Sequence, residues 1–319
     1  MMRLLLSILL SGLFLMGYAQ PDLQEQKKIE AKIQPLGSLE AYNLATITDT
    51  LTKTFFDKRE KALAIYYWIA NHITISPESV RSYDTRDTDP ASVIKNRKTN
   101  AIGFSLLFQE MCSMANIRCL FITGYTKYNT DEINEPADEP NHAWNVVQIG
   151  LSPDTWFYVD VSKACGITDT RFYSFTKKFN WNYFFSDKNI FNLDHFPENR
   201  SWILGKGSKS KKEFYSIPVV ESGAYQLGTY HPTPYKGFIK TKTSKPVAFS
   251  IKRQRENPIW KIFLIIKIGN KEAKKIDLQF KEEYEILDFE YTFDVEDTYV
   301  VTINADGNDL FTYVVESEE

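Results

Sequence analysis

Three cysteines (Cys112, Cys119, Cys165) and four histidines (His72, His142, His195, His231) are the side chains able to act as nucleophile or base near neutral pH. The thiols form no CxxC pair and the histidines are scattered, so neither a metal site nor a cofactor is expected. Cys112 and Cys119 could pair in an exported chain, but an odd count in a chain this large reads better as buried thiols. One histidine sits in a patterned context. Asn141-His142-Ala143-Trp144-Asn145 opens a strand-like run, and the next such run, Trp156-Phe157-Tyr158-Val159-Asp160-Val161, carries a carboxylate. A carboxylate beside an imidazole fixes its tautomer and stabilises its charged form, which is what a general base needs. A His–Asp pair can equally be a buried polar contact kept for packing. A third stretch, 97–108, leads into an apolar helix.

The elements that position these residues belong to a chain of 319 residues, 43% hydrophobic and 25% charged: globular composition, with length for two domains. A net charge of -3 gives no electrostatic footprint for nucleic acid. Arg3 precedes an apolar run, and Gly17-Tyr18-Ala19 then supplies the small residues a signal peptidase reads. Cleavage before Gln20 is expected, with a secreted, periplasmic or cell-envelope location; an uncleaved single-span anchor is the alternative. No later stretch is apolar and long enough to cross a bilayer. Asp57-Lys58-Arg59-Glu60 has the form of a capping box, and Ala62, Ile65, Tyr66, Ile69 and Ile73 recur at helical spacing as an inward stripe. Residues 76–88 read as a surface loop, and Asp89-Pro90 as the start of a short helix. A helix apolar on nearly all sides should run from about Asn100 to Ala115, with Asn116 as a left-handed cap. A strand over 119–125 and an acidic loop over 127–140 follow. Residues 205–212 read as a flexible basic linker. Beyond them alternation takes over, as in 260–266 and 299–303, and Asp306-Gly307 is a hairpin signal. The expected organisation is a signal peptide over 1–19, an α+β domain over 20–212 and an all-β, Ig-like sandwich over 213–319.

The stretch 97–108, the His142 run and the Asp160 run resemble, in that order, the three catalytic blocks of transglutaminase-like, papain-type cysteine enzymes. The run 65–73 resembles the helix preceding the first block. Residues 182–187 and 194–202 resemble the segment that closes the domain in the kyphoscoliosis-peptidase-like subgroup. The resemblance covers 65–202 and implies a papain-like α+β core. It makes His142 the base, Asp160 the orienting carboxylate and Ala101 the occupant of the nucleophile position. A methyl group has neither lone pair nor ionisable proton, so acyl transfer by that mechanism is not expected. Thr99-Asn100 also departs from the Gly-x pattern the family carries before its Cys, which favours natural loss over an engineered change. Among substitutes, Ser105 lies one turn along the helix, about 6 Å up its axis. Thr99 and Asn100 read as caps. Cys165, just after the Asp160 run, is the best placed. The leading reading is a catalytically inactive homologue whose degenerate cleft binds a peptide, protein or glycopeptide. The rivals are a peptidase or acyltransferase with a displaced nucleophile, and a structural partner in a cell-envelope assembly.

Overall fold

The computed structural model describes residues 20–81, 85–152, 155–169, 171–254, 258–269 and 271–319; the expected signal peptide lies outside them. Helix α1 (Leu23–Ile33) begins at Asp22, which forms a reciprocal capping box with Glu25. After α2 (Leu44–Thr52), α3 (Lys58–His72) begins at Asp57, whose side chain accepts from the Arg59 and Glu60 N–H groups. Only half of the expected box forms there, because Glu60 turns to Lys28 of α1. Nor is α3 one-sided. Every residue from Ala62 to Ala70 is buried, since α1, α2 and later helices surround it.

Strand β1 (Thr74–Ile75) pairs in parallel with β2 (Lys98–Thr99), and α4 (Pro77–Arg81) and α5 (Pro90–Asn96) lie between them. A short helix thus occupies part of the stretch expected to be loop. Helix α6 (Ala101–Met114) is the expected buried helix, capped by Asn100 Oδ1 on the N–H groups of Ile102 and Gly103. Past its end, Asn116 takes the left-handed conformation with φ 63°. An antiparallel meander of β3 (Arg118–Tyr125), β4 (His142–Gln148) and β5 (Trp156–Val159) packs against α6. Then come α7 (Val161–Cys165), the hairpin β6 (Gly166–Thr168) and β7 (Phe175–Lys177), α8 (Lys188–Asp194), and β8 (Phe196–Pro197), which pairs with the end of β3.

Residues 205–212 are held rather than free. Asn192 Nδ2 donates to the Lys206 carbonyl, Lys211 Nζ donates to the Ala137 carbonyl, Ser208 is buried, and α9 (Lys211–Ser216) starts among them. Two short elements, β9 (Val219–Val220) and α10 (Ser222–Leu227), lead to the sandwich. Its strands are β10 (Thr229–Thr233), β11 (Phe238–Lys242), β12 (Pro246–Arg253), β13 (Ile262–Ile268), β14 (Lys274–Leu278), β15 (Lys281–Glu283), β16 (Ile286–Thr292), β17 (Asp297–Ala305) and β18 (Asn308–Glu318). One sheet runs β10-β12-β16-β15, the other β11-β18-β17-β13-β14, with β9 attached to β18. Alternate residues (Val247, Phe249, Ile251; Tyr299, Val301, Ile303) are buried between the sheets, and the Phe249 ring meets Tyr313 edge-on at 5.7 Å. The β17–β18 turn has positive φ at Asp306 and Gly307, as its Asp-Gly pair demands. The architecture is the expected α+β core followed by an all-β sandwich. Buried apolar side chains of both units join in one contiguous cluster.

Candidate active-site cleft

His142 is the first residue of β4 and Asp160 follows the last residue of β5, so antiparallel pairing brings both to one end of the meander. Asp160 caps α7: its Oδ1 accepts from the Lys163 N–H at 2.9 Å and from the Ser162 hydroxyl at 2.7 Å. Its Oδ2 lies 2.6 Å from His142 Nε2. A second imidazole shares that oxygen, with His195 Nε2 at 3.1 Å. All three residues are buried, Asp160 completely. Burial by itself would raise the Asp160 carboxyl, but the two imidazoles, His142 foremost, outweigh it and hold the group well below the usual carboxylate range. Burial pushes His195 down to about 4, so near neutrality it is uncharged and its Nε2–H donates to Asp160. The His195 ring lies flat on Phe191, with centroids 3.7 Å apart.

Because His142 Nε2 is committed to Asp160, the other ring nitrogen, Nδ1, meets the Tyr128 hydroxyl at 3.1 Å. Behind His195, both Asp194 oxygens accept from Lys163 Nζ at 2.7 Å, and one also accepts from the Tyr225 hydroxyl at 2.9 Å. Tyr225 belongs to α10, so the segment leading into the sandwich is bonded into the site. Ala101, Tyr128 and His142 border one cavity of about 700 Å³, which Glu221, Ser222 and Asp309 also line. Both units build this cleft.

Residues 45–161, which take in Ala101, His142 and Asp160, match the family model of the transglutaminase-like superfamily. The chain carries a transglutaminase-like domain. Kyphoscoliosis peptidase of Mus musculus is 30% identical over 227 residues, covering 70% of this chain and 33% of the relative; that of Homo sapiens is 29% identical over the same length. Hillarin of Drosophila melanogaster is 23% identical over 189 residues, covering 54% of this chain and 22% of its own. The chain therefore spans a third or less of these relatives' length. The two peptidases at about 30% identity support the kyphoscoliosis-peptidase-like subgroup.

The residues expected as substitute nucleophiles are poorly placed for that role. Cys165 is fully buried, donates to the Ser162 carbonyl at 3.1 Å and is pushed up to about 12 by burial, the reverse of what a nucleophile needs. Its position after the Asp160 run had made it the best-placed substitute; the turn into α7 directs the thiol inward instead. Ser105 is buried, Asn100 is the cap, and Thr99 packs against Gly103 so closely that a Cβ on the glycine would lie 1.9 Å from Thr99 Oγ1. Cys112 and Cys119 are neighbouring buried free thiols. His72 stacks on Trp68.

His142, Asp160 and His195 form a set of residue types that can hold a metal ion, which scattered histidines in the sequence did not suggest. Their spacing fits hydrogen bonds better. Two ligand atoms on a tetrahedral zinc, each about 2.0–2.1 Å from it, stand roughly 3.3 Å apart. The His142 Nε2 to Asp160 Oδ2 separation is 2.6 Å. His195 and Tyr128 are the site residues that motif reasoning missed. His195 had a signal, since it opens His195-Phe196-Pro197 in the closing segment. Tyr128, in a stretch read only as loop, had none.

Proposed function

We propose that this chain is an exported, non-catalytic member of the superfamily whose cleft binds a peptide or glycopeptide segment. One observation carries the reading: the buried helix α6 opens with Ala101 on the same cavity as a complete His142–Asp160 pair. The pair fixes an imidazole that lines the same cavity as a methyl group where a nucleophile would be expected. Peptide as the ligand class is supported by the relatives named kyphoscoliosis peptidase. Export is supported by the charged, apolar and small-residue order of 3–19. Intact mass of exported protein should then begin at Gln20, and retention of Met1 would contradict it.

Catalysis through a displaced nucleophile loses support from the burial of Cys165. Treatment of the native protein with a thiol-reactive electrophilic probe tests the non-catalytic reading. Little labelling of Cys112, Cys119 or Cys165 is expected, since all three are buried. Stoichiometric, pH-dependent labelling of Cys165 would overturn it.

A further inference from the structure

Asp160 stands ionised and buried behind His142, and the uncharged His195 shares its oxygen without cancelling its charge. The opposite edge of the His142 ring, bearing Nδ1, meets Tyr128, and both residues border the cavity with Ala101. A thiol at position 101 would place a negative charge there and complete a carboxylate–imidazolium–thiolate row. Alanine removes that anion and keeps what surrounds it. Lys127 and Lys163 border the same cavity. Lys163 is held by Asp194, whereas Lys127 is buried, donates to the Phe214 carbonyl at 2.8 Å, and has no ion-pair partner among the described residues. Burial draws the Lys127 ammonium down to about 7 against the opposing pull of Asp194 and Glu132, so a further anion would favour its charged form. Glu221 and Asp309 also border the cavity, and Glu221 lies within electrostatic reach of Asp194 and Lys163.

In a peptide-binding cleft built around a nucleophile, the ligand's carbonyl carbon comes to rest beside the nucleophile position. With a methyl group in place of sulfur, there is room for a second oxygen on that carbon, and such a carbon is a carboxylate. We propose that the cleft holds the free C-terminal carboxylate of its peptide ligand, seated over the Ala101 methyl against His142 Nδ1 and the Tyr128 hydroxyl. This inference rests on the peptide-cleft reading and names the group recognised. The imidazolium form of His142, flanked by Asp160 on one side and the ligand carboxylate on the other, donates to both. The Tyr128 hydroxyl then turns its proton from His142 to the ligand.

The test uses the full chain and three pools of N-acetylated random tetrapeptides: free acids, C-terminal amides, and amides enriched in Asp and Glu. Binding is read from the ring resonances of His142, which are assignable because the chain has only four histidines and His142→Gln removes one set. The free-acid pool should move those resonances at least about tenfold more tightly than the plain amides, the scale of a hydrogen bond to a charged group. Tyr128→Phe should weaken the acids several-fold more than the amides. Ala101→Asp, which supplies its own carboxylate, should abolish the preference. Equal binding of acids and plain amides, or acid binding indifferent to Tyr128→Phe, would overturn the carboxylate and leave the peptide cleft standing. Tightest binding by the Asp/Glu-enriched amides would overturn the terminus in favour of a side-chain carboxylate. If no pool binds, both this inference and the peptide-cleft reading fall.

Discussion

At the scale of single residues, the site is a buried carboxylate shared by two imidazoles. His195 is uncharged near neutrality, and this has a consequence for stability. Unfolded, a histidine takes up its proton near pH 6.5. Folded His195 resists until about 4, because burial penalises the charged ring. The folded state therefore loses stability as pH falls from about 6.5 toward 4, by an amount on the order of 3 kcal/mol if that shift is realised in full. Asp160 and Asp194 are held low, so their contributions persist through that window and fade only as pH falls through their own folded values. Urea midpoints for wild type and His195→Phe, taken from pH 7 to pH 4, should show a shallower decline in the variant despite lower stability at pH 7. Parallel curves would show that His195 does not titrate as its burial requires. His142 and Asp160 were legible in the sequence because each lies in an ordered block with distinctive neighbours. The partnership of His195 with Asp160 was not, since it is made by β8 returning to the end of β3, a closure that local spacing cannot express. Cys165 misled for a related reason. Sequence proximity to Asp160 says nothing of which way a short helix turns its thiol.

Among the elements, α6 opens with Ala101, and its first turn is packed with little tolerance. Gly103 faces Thr99, and an added Cβ would meet Thr99 Oγ1 at 1.9 Å and Thr99 Cβ at 2.9 Å. Glycine in a helix interior costs about 1 kcal/mol relative to alanine, so relief of that cost would favour Gly103→Ala if space allowed. Overpacking here should win, with a net loss of about 1–3 kcal/mol in chemical denaturation. Thr99→Ala in the same chain should recover part of it. A neutral or stabilising Gly103→Ala would mean that the head of α6 is looser than its packing indicates. The run of apolar residues makes α6 legible as a buried helix from its sequence alone. The same logic underestimates α3, where a single stripe is expected and all sides are covered. Small and aromatic residues off the stripe (Ala64, Tyr67, Ala70) are compatible with either environment, so the periodicity could not report the additional helices that pack there. In the sandwich, alternation and the Asp-Gly turn were sufficient guides to strand existence, though not to the order of strands in two sheets.

Over the whole molecule, the cleft depends on a seam between the transglutaminase-like core and the sandwich. Tyr225 donates to Asp194, Tyr183 and Tyr225 rings lie 4.6 Å apart, and Gly223 lets α10 approach β18 so closely that a Cβ would lie 2.3 Å from the Asp309 carbonyl oxygen. Change from mixed to alternating patterning marks a boundary near residue 212, which we propose as the covalent division between units; the buried contacts across it could not be read from composition. Protease nicking within 205–210 should leave two fragments that co-elute under native conditions and separate only in denaturant, because the buried apolar cluster continues across the seam. Fragments that part spontaneously, each still folded, would contradict a shared core.

The central claim is that a working imidazole–carboxylate pair faces Ala101 across the cleft, and Ala101→Cys tests it most directly. The new sulfur would stand at the head of α6 beside His142, where helix dipole and imidazole both favour the thiolate. Iodoacetamide should then alkylate position 101 near neutral pH faster than Cys112, Cys119 or Cys165, all of which are buried. His142→Ala in that background should remove the advantage. A thiol at 101 no more reactive than the other three, or one whose rate ignores the loss of His142, would contradict the account.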